Sequence, residues 1–315
     1  MPRSREVLIP FGEVELAGTL HLPDAEPPHP AVIMLHGSGV ADRDSGDFFP
    51  PIRKAFLGAG LAVLSWDKQG IGESGGDWRQ QTIPGGAVEA HAAFRWLRDQ
   101  PEIDADRIGA WGHSQGGWVG PLLAAREPGI ATLVIHSGTG LTPSEQDHAG
   151  MEQELRRDGA DEEDVAQGHA YLDALHAAAR TGMPFAAFDR EVQAPARGTA
   201  GYGYFGEINA AMWPFFVRNA AEPFDPLATL RSVRCPVLAI FGGDDVLIPV
   251  ERSVDLVWET VGVNNPDVTV RVYPGASHRL LAGDPPAHPE GYLDAMSGWL
   301  RNRLNVIPSD GSVRQ

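Results

Sequence analysis

A serine flanked by glycines stands at residues 112–116, where the sequence reads Gly-His-Ser-Gln-Gly. This Gly-x-Ser-x-Gly pattern is typical of a sharp strand-to-helix turn that exposes the serine, because glycines let neighbouring backbone pass without Cβ clashes. An apolar strand pattern ends at Trp111 and a helical pattern begins at Trp118, as such a turn requires. Ser114 is therefore predicted to be a nucleophile at a helix N-terminus, where the helix dipole favours negative charge on its oxygen.

A second match to the same pattern occurs at residues 72–76, Gly-Glu-Ser-Gly-Gly. The pentapeptide alone is weak evidence in a chain with 37 glycines, so the flanking elements must decide. Ser74 lies beyond the end of a predicted strand at Trp66 and is followed by polar residues, not by a helix pattern. We therefore predict that Ser74 is a loop residue and not the nucleophile.

A serine nucleophile needs a base and an acid, which follow it in the order Ser, Asp or Glu, His when the turn has this form. Asp244 and Asp245 follow an apolar strand pattern that ends at Phe241, and His278 follows the last such pattern. Catalytic groups in open α/β sheets gather outside the carboxyl ends of the strands. His278 is predicted to take the serine proton, and one of the aspartates is predicted to orient the imidazole.

Small residues directly after the 31–35 strand pattern offer backbone N–H groups for an oxyanion hole. Ser38 is the predicted donor, with Gly39 as an alternative, and the N–H of Gln115 is the predicted second donor. Gly39 is also a candidate substrate contact. His36 is predicted to be buried and structural. No His, Asp or Glu cluster has the spacing of metal ligands, so neither a metal nor another cofactor is expected.

The elements that would position these residues alternate between strand and helix, which predicts an α/β fold with a mostly parallel sheet of about eight strands and helices on both faces. An antiparallel hairpin is predicted at 7–22. Further strands are predicted at 31–35, 62–66, 108–111, 132–135, 236–241 and 268–273. Helices are predicted at 49–60, 87–100, 118–126 and 289–304, and the apolar face of 87–100 is predicted to comprise Val88, Ala92, Trp96 and Leu97.

The strand signal disappears over residues 141–225, which predicts an inserted helical cap between two strands. Helices are predicted at 152–157 and 161–180, followed by an aromatic-rich stretch. Within it, Trp213 and Phe216 are candidate substrate contacts. The predicted organisation is a core of residues 1–140 and 226–304, a cap at 141–225 and a flexible tail at 305–315.

Composition limits the partners. The formal net charge is −17 at pH 7, which disfavours a nucleic-acid partner because such binders need a basic surface. No apolar stretch is long enough for a membrane span or signal peptide, so we expect a cytoplasmic protein without a membrane partner, and a homodimer remains open. The single cysteine, Cys235, precedes a strand pattern and is predicted to be a buried filler.

These features together resemble the α/β-hydrolase superfamily, and in particular bacterial esterases and proteins similar to serine aminopeptidases and dienelactone hydrolases. The resemblance covers nearly all of the chain except the cap. It rests on the 112–116 elbow and on four further runs, at 36–44, 67–74, 242–249 and 277–278. In the third of these, the Gly-x-x-Asp-x-x-Ile-Pro pattern beginning at Gly242 implies that Asp245, and not Asp244, is the acid.

The superfamily hosts many reactions, so the resemblance specifies the catalytic residues better than the substrate. The function expected is hydrolysis of small or medium acyl or aryl esters through an acyl-enzyme, with a small-molecule ester as partner. The alternatives are an aminopeptidase or acyl-peptidase, a thioesterase, or a non-catalytic ligand receptor. An aminopeptidase would need a cap carboxylate, such as Glu207 or Glu222, to hold an α-amine.

Overall fold

Eight strands form one sheet in the computed structural model, which describes residues 3–306. Their order across the sheet is β1-β2-β4-β3-β5-β6-β7-β8. The strands are β1 (Arg3–Phe11), β2 (Val14–Leu22), β3 (His29–Leu35), β4 (Ala62–Trp66), β5 (Ile103–His113), β6 (Ile130–His136), β7 (Val237–Gly242) and β8 (Val268–Tyr273). The β1–β2 and β2–β4 pairs are antiparallel and the others are parallel. The predicted α/β sheet with an N-terminal hairpin is confirmed.

Helices cover both faces of the sheet. The helices of the core are α1 (Phe49–Gly58), α2 (Ile83–Arg98), α3 (Gly116–Arg126), α9 (Pro226–Ser232), α10 (Val250–Asn264) and α11 (Tyr292–Arg303). One apolar cluster packs α2, α3 and α10 against one face, and another packs α1 and α11 against the opposite face. Alternate side chains of β3 enter opposite clusters, with Ile33 in the first and Val32 in the second. A strand covered on both faces reads as a continuous apolar run, which explains why these strands were visible in the sequence.

The face that α2 buries differs from the prediction. Leu97 is buried as expected, but Val88 is 49% exposed, and Ala87 and Ala90 are buried instead. Glu89 is also buried, because its carboxylate accepts a hydrogen bond of 2.7 Å from the indole Nε1 of Trp66. Because Glu89 lies on the buried face, the apolar residues of the sequence do not mark that face correctly. The prediction for Val88 was therefore wrong.

The segment between β6 and β7 contains α4 (Pro143–Arg157), α5 (Glu162–Arg180), α6 (Phe185–Phe188), α7 (Ala194–Ala196) and α8 (Trp213–Ala221). We call residues 141–225 the inserted segment. It has its own apolar cluster, which includes Leu172, Leu175 and Phe188. Helix α4 begins well before the predicted residue 152, since Thr142 and Glu145 form a capping box ahead of a polar first turn.

The ends of the chain are described only in part. Of the predicted tail, Asn305 and Val306 belong to the described residues, and 307–315 lie outside them. Within residues 3–306, no helix combines the length and the apolar character that crossing a bilayer requires.

Candidate active site

Ser114 occupies the turn between β5 and α3. Its φ is +54°, a left-handed conformation that is strained for a non-glycine residue, and its N–H donates to the carbonyl of His136 at 2.9 Å. Glycine is required on both sides: a Cβ on Gly112 would lie 2.1 Å from Gly116 O, and one on Gly116 would lie 2.6 Å from Leu35 O. The close approach of strand, turn and helix therefore holds Ser114 at the carboxyl edge of the sheet.

Asp245 and His278 form a direct pair at the same edge. Asp245 follows β7 and His278 follows β8, and Oδ2 of the aspartate lies 2.7 Å from Nδ1 of the histidine. The second oxygen, Oδ1, accepts the N–H of Leu247 at 2.9 Å, so the fully buried carboxylate is held from both sides. Asp244 is exposed, and its N–H bonds the carbonyl of Ala276. The structure thus places Asp245, and not Asp244, against the imidazole.

The other nitrogen of His278, Nε2, is buried and has no hydrogen-bond partner within residues 3–306. The imidazole packs on His113, the residue before Ser114, with ring centroids 4.9 Å apart. A histidine whose Nδ1 is fixed by a carboxylate presents Nε2 as a proton acceptor. The arrangement therefore leaves Nε2 of His278 free to accept a proton, on a ring that contacts the residue before Ser114.

His113 belongs to a buried polar chain that the sequence did not reveal. Its Nδ1 lies 3.0 Å from Nδ1 of His136, and Nε2 of His136 lies 2.7 Å from the hydroxyl of Tyr292. Burial lowers the pKa of His113 well below its usual value and lowers that of His136 to about 3. Both rings are therefore neutral at physiological pH and support His278 without adding charge.

Three backbone N–H groups are available among the residues predicted for the oxyanion hole. Within the described chain, neither Ser38 nor Gln115 uses its N–H in an intramolecular hydrogen bond, and the N–H of Gly39 is also free. Gln115 precedes the first residue of α3, so its N–H shares the positive end of the helix dipole. Unpaired donors at a helix start suit an anionic oxygen. These are the positions that the sequence predicted for an oxyanion hole.

Lys68 lies beneath this loop and was not anticipated from the sequence. Its Nζ donates to the carbonyls of Gly37 at 2.5 Å and Gly39 at 3.1 Å, and lies 3.4 Å from Oε1 of Gln115. Because the ammonium binds these carbonyls on one side, the intervening N–H groups are free to face the other. Burial lowers the pKa of Lys68 to about 8, and the nearby carboxylate of Glu89 opposes this shift.

Ser74, His36 and Cys235 make contacts that stabilise the fold. Ser74 is buried, donates from Oγ to the carbonyl of Asp67 at 2.7 Å and accepts the N–H of Ala17 at 2.9 Å. His36 is buried and stacked on Phe49, and burial lowers its pKa to about 3. Cys235 is half-buried against the sheet core, where burial raises its pKa to about 12. Ser74 therefore ties the loop after β4 to β2.

A cavity of about 400 Å³ lies between the core and the inserted segment. Ser38, Gly39 and Gln115 line it on the core side, and Phe216 lines it on the other. Further aromatic side chains complete the wall: Trp78, Trp118, Phe205, Phe215 and Phe224. The cavity therefore presents an apolar, aromatic wall to the residues predicted to form the oxyanion hole.

Trp213, the other predicted substrate contact, does not line this cavity. It is 3% exposed, stacks on Phe188 with ring centroids 3.8 Å apart, and donates from Nε1 to the carbonyl of Met183. The large apolar ring is taken up by the interior of the inserted segment, so the prediction for Trp213 is corrected to a packing role.

Glu222 and Glu207, the two candidate amine-binding carboxylates, lie in different surroundings. Glu222 lines the cavity and accepts a hydrogen bond from Oγ1 of Thr82 at 2.6 Å. Glu207 pairs with Arg197 at the surface. Among residues 3–306, no group of three or more His, Cys, Asp or Glu side chains has the arrangement of a metal site.

Comparison with known proteins agrees with this fold. The sequence model of the X-Pro dipeptidyl-peptidase (S15) family matches residues 12–195, more than half of the chain. The chain belongs to this family of α/β-hydrolases. The model of the dienelactone hydrolase family matches residues 192–301 of the same hydrolase. The superfamily expected from the sequence motifs is confirmed.

Curated relatives and solved structures extend the likeness over most of the hydrolase. Over 307 residues it is 25% identical to a monoacylglycerol lipase of Mycolicibacterium smegmatis, covering 96% of this chain and 98% of that one. Esterase EstD of Thermotoga maritima is 25% identical over 283 residues, 88% of this chain and 61% of that protein. An esterase structure from Pyrococcus furiosus superposes with a TM-score of 0.64 at 19% identity, covering 96% and 91% of the two chains. This structural likeness shows the shared fold.

Proposed function

We propose that this hydrolase cleaves carboxylic esters of small or medium acyl or aryl substrates through an acyl-enzyme on Ser114. The observation that carries the proposal is the strained Ser114 at the strand–helix elbow, on the same sheet edge as the bonded Asp245–His278 pair. The names of two relatives, an esterase and a monoacylglycerol lipase, support an ester substrate.

In the proposed acylation step, Nε2 of His278 takes the proton of Ser114 Oγ while that oxygen attacks the ester carbonyl carbon. Asp245 accepts the Nδ1–H of His278 and stabilises the imidazolium that forms. The carbonyl oxygen becomes an oxyanion that accepts hydrogen bonds from the N–H groups of Ser38 and Gln115. The imidazolium then gives its proton to the leaving alcohol. Water repeats the sequence to release the acid and restore Ser114.

Covalent labelling tests the nucleophile directly. A fluorophosphonate reacts only with an activated serine, so we expect one labelled peptide, containing Ser114. Ser114→Ala should abolish labelling and turnover of p-nitrophenyl esters. Ser74→Ala is the matched control, because Ser74 lies in the other Gly-x-Ser-x-Gly match, and most activity should remain. Label on Ser74 would overturn the assignment.

An aminopeptidase on the same triad is the second candidate. It is favoured by the S15 family description and by Glu222, a carboxylate at the cavity that could hold an α-amine. A panel of p-nitrophenyl esters, acyl thioesters and aminoacyl p-nitroanilides separates the candidates. We expect kcat/KM to be highest for esters; preference for an aminoacyl anilide, lost in Glu222→Gln, would favour the peptidase.

A further inference from the structure

A partly buried carboxylate–imidazole pair interrupts the aromatic wall of the cavity. Asp147 of α4 and His176 of α5 both line the cavity, with Oδ2 of the aspartate 3.3 Å from Nε2 of the histidine. Their side chains are only 18% and 15% exposed. The pair plays no part in the proposed catalytic steps, so its position calls for a separate explanation.

The surroundings leave Asp147 incompletely satisfied. An ionised carboxylate accepts about four hydrogen bonds. In residues 3–306 the ion-pair partner of Asp147 is His176. The Nε2 atom of His176 is buried and makes no well-formed hydrogen bond. Burial raises the pKa of Asp147, and His176 only partly offsets the shift. Buried polar groups are normally paired. The carboxylate of Asp147 can therefore accept a hydrogen bond from a donor group of a ligand in the cavity.

The other charged groups of the lining are placed differently. Glu222 and Arg180 are exposed, and Glu222 is already bonded to Thr82. Asp147 is thus the less exposed of the two carboxylates that line the cavity. Ser38 and Gln115 line the same cavity. A substrate whose carbonyl lies at the oxyanion residues therefore shares this space with Asp147.

We propose that Asp147 and His176 form a recognition subsite for a hydrogen-bond donor, a hydroxyl or an ammonium group, carried by an otherwise apolar substrate. The inference rests on the proposed function, because it describes how an ester would be selected before Ser114 attacks it. A substrate carrying a carboxylate at that position is disfavoured, since it would meet a like charge in a poorly solvated site.

Esters that differ only at the far end of the acyl group test the subsite. The set is p-nitrophenyl 3-phenylpropanoate and its para-methoxy, para-hydroxy and para-aminomethyl derivatives. The methoxy substituent is similar in size to the hydroxy and aminomethyl substituents, but it can only accept a hydrogen bond and cannot donate one. We expect wild-type kcat/KM for the hydroxy and aminomethyl esters to exceed that for the methoxy ester by about ten-fold, the effect of one well-formed hydrogen bond to a charged group.

Two substitutions distinguish the hydroxyl from the ammonium. Asp147→Asn removes the charge but keeps an accepting oxygen, so the preference for the ammonium should disappear while part of the preference for the hydroxyl remains. Asp147→Leu removes the acceptor, so both preferences should disappear. Circular dichroism melting checks that both variants fold. The ranking of the esters by wild-type kcat/KM tests the proposal even if one variant does not fold.

The matched control is Asp173→Asn. Asp173 pairs with His148 at 3.4 Å and so joins the same two helices, α4 and α5, but it is 79% exposed and lies outside the cavity lining. If the Asp147–His176 pair merely fastens the helices, Asp173→Asn should alter the substrate ranking as Asp147→Asn does. Glu222→Gln tests the other carboxylate of the lining as the competing ammonium site, and we expect neither this substitution nor Asp173→Asn to change the donor preference by more than about two-fold.

Each result bears on the proposal. A methoxy ester cleaved as well as the hydroxy and aminomethyl esters by the wild type would overturn the subsite, as would loss of the ammonium preference in Glu222→Gln or Asp173→Asn. If Ser114 is labelled and the unsubstituted ester is cleaved without donor preference, only the subsite fails. If no ester is cleaved and Ser114 is not labelled, the proposed function fails and the subsite with it.

Discussion

Replacing Lys68 by methionine should slow catalysis without weakening substrate binding. The substitution keeps an unbranched apolar side chain of similar length but removes the ammonium that binds the carbonyls of Gly37 and Gly39. Those carbonyls would then lack their partner, and the loop that carries the N–H of Ser38 would lose its fixed orientation. The loss concerns a group that acts on the developing oxyanion, so kcat should fall while KM changes little.

The size of the effect is bounded by two limits. Losing a single hydrogen bond to a charged group costs about 1.5 kcal/mol, or roughly ten-fold in kcat. Losing an oxyanion donor entirely costs about 4 kcal/mol, or up to roughly a thousand-fold. We therefore expect kcat of Lys68→Met to lie between these limits. Lys54→Met is the matched control, since it removes the same charge from an exposed position on α1.

The pH dependence gives an independent check. Since burial lowers the pKa of Lys68 to about 8, wild-type kcat should fall as pH rises through that value and the ammonium loses its proton. In the unfolded chain Lys68 keeps its ordinary pKa of 10.5. Between the two values the unfolded state binds more protons, so this group's contribution to the free energy of unfolding rises with pH, and unfolding does not explain the loss.

Steady-state kinetics on a p-nitrophenyl ester from pH 6 to 10, with unfolding followed by circular dichroism, provides the measurement. The alkaline limb should be present in the wild type and in Lys54→Met and absent in Lys68→Met. The reasoning is refuted if Lys68→Met retains wild-type kcat, if only KM changes, or if the alkaline limb persists in the folded variant.

Three other substitutions have expected outcomes. Asp245→Asn should lower kcat by about ten-thousand-fold, as the equivalent change does in serine proteases, whereas Asp244→Asn should have a small effect in the same ester assay. Phe216→Ala should change the ranking of p-nitrophenyl esters by acyl length, whereas Trp213→Ala should mainly lower the free energy of unfolding, by about 3–5 kcal/mol in urea titrations, since its ring is buried. Tyr292→Phe should destabilise the fold by about 1–3 kcal/mol in the same titrations, because Nε2 of His136 loses its buried partner.

Contrary results are equally specific. A larger loss of kcat in folded Asp244→Asn than in folded Asp245→Asn would reverse the choice of acid. Equal losses toward every ester in Phe216→Ala would argue against a contact with substrate. Unchanged urea midpoints would argue against the packing role of Trp213 and against the polar chain that ends at Tyr292.

The sequence predicted the sheet well because its central strands are buried on both faces and therefore read as unbroken apolar runs. β4 is fully buried and begins and ends at the predicted residues, and so does β8, although it is a partly exposed edge strand. Helix α4 was placed too late because its first turns are polar and carry no apolar stripe. The signal that could have located it is local: Thr142 and Glu145 have the spacing of a capping box, with Pro143 at the first helical position.

The same distinction between local and long-range signals separates the site residues that the sequence predicted from those that it did not. Ser114, Asp245 and His278 lie in turns or loops that follow parallel strands, so their placement at one edge of the sheet follows from chain order and sheet geometry. Lys68 acts through contacts with residues far away in sequence, and no local pattern indicates which carbonyls a buried ammonium will reach. Trp213 was misplaced for a similar reason, since composition marks an aromatic ring as buried but does not say on which side of the inserted segment.

The inserted segment buries an apolar cluster that shares no member with the two clusters of the sheet. Substitutions in groups that are far apart and share no partners usually have additive effects on stability. A change in the part of the cavity wall that the inserted segment supplies, such as Phe216, would therefore draw on the stability of that segment and leave that of the strands carrying the proposed triad untouched. Such a division lets selection, or a directed-evolution experiment, explore new substrates through Phe216, Asp147 and their neighbours while the reaction chemistry is inherited unchanged.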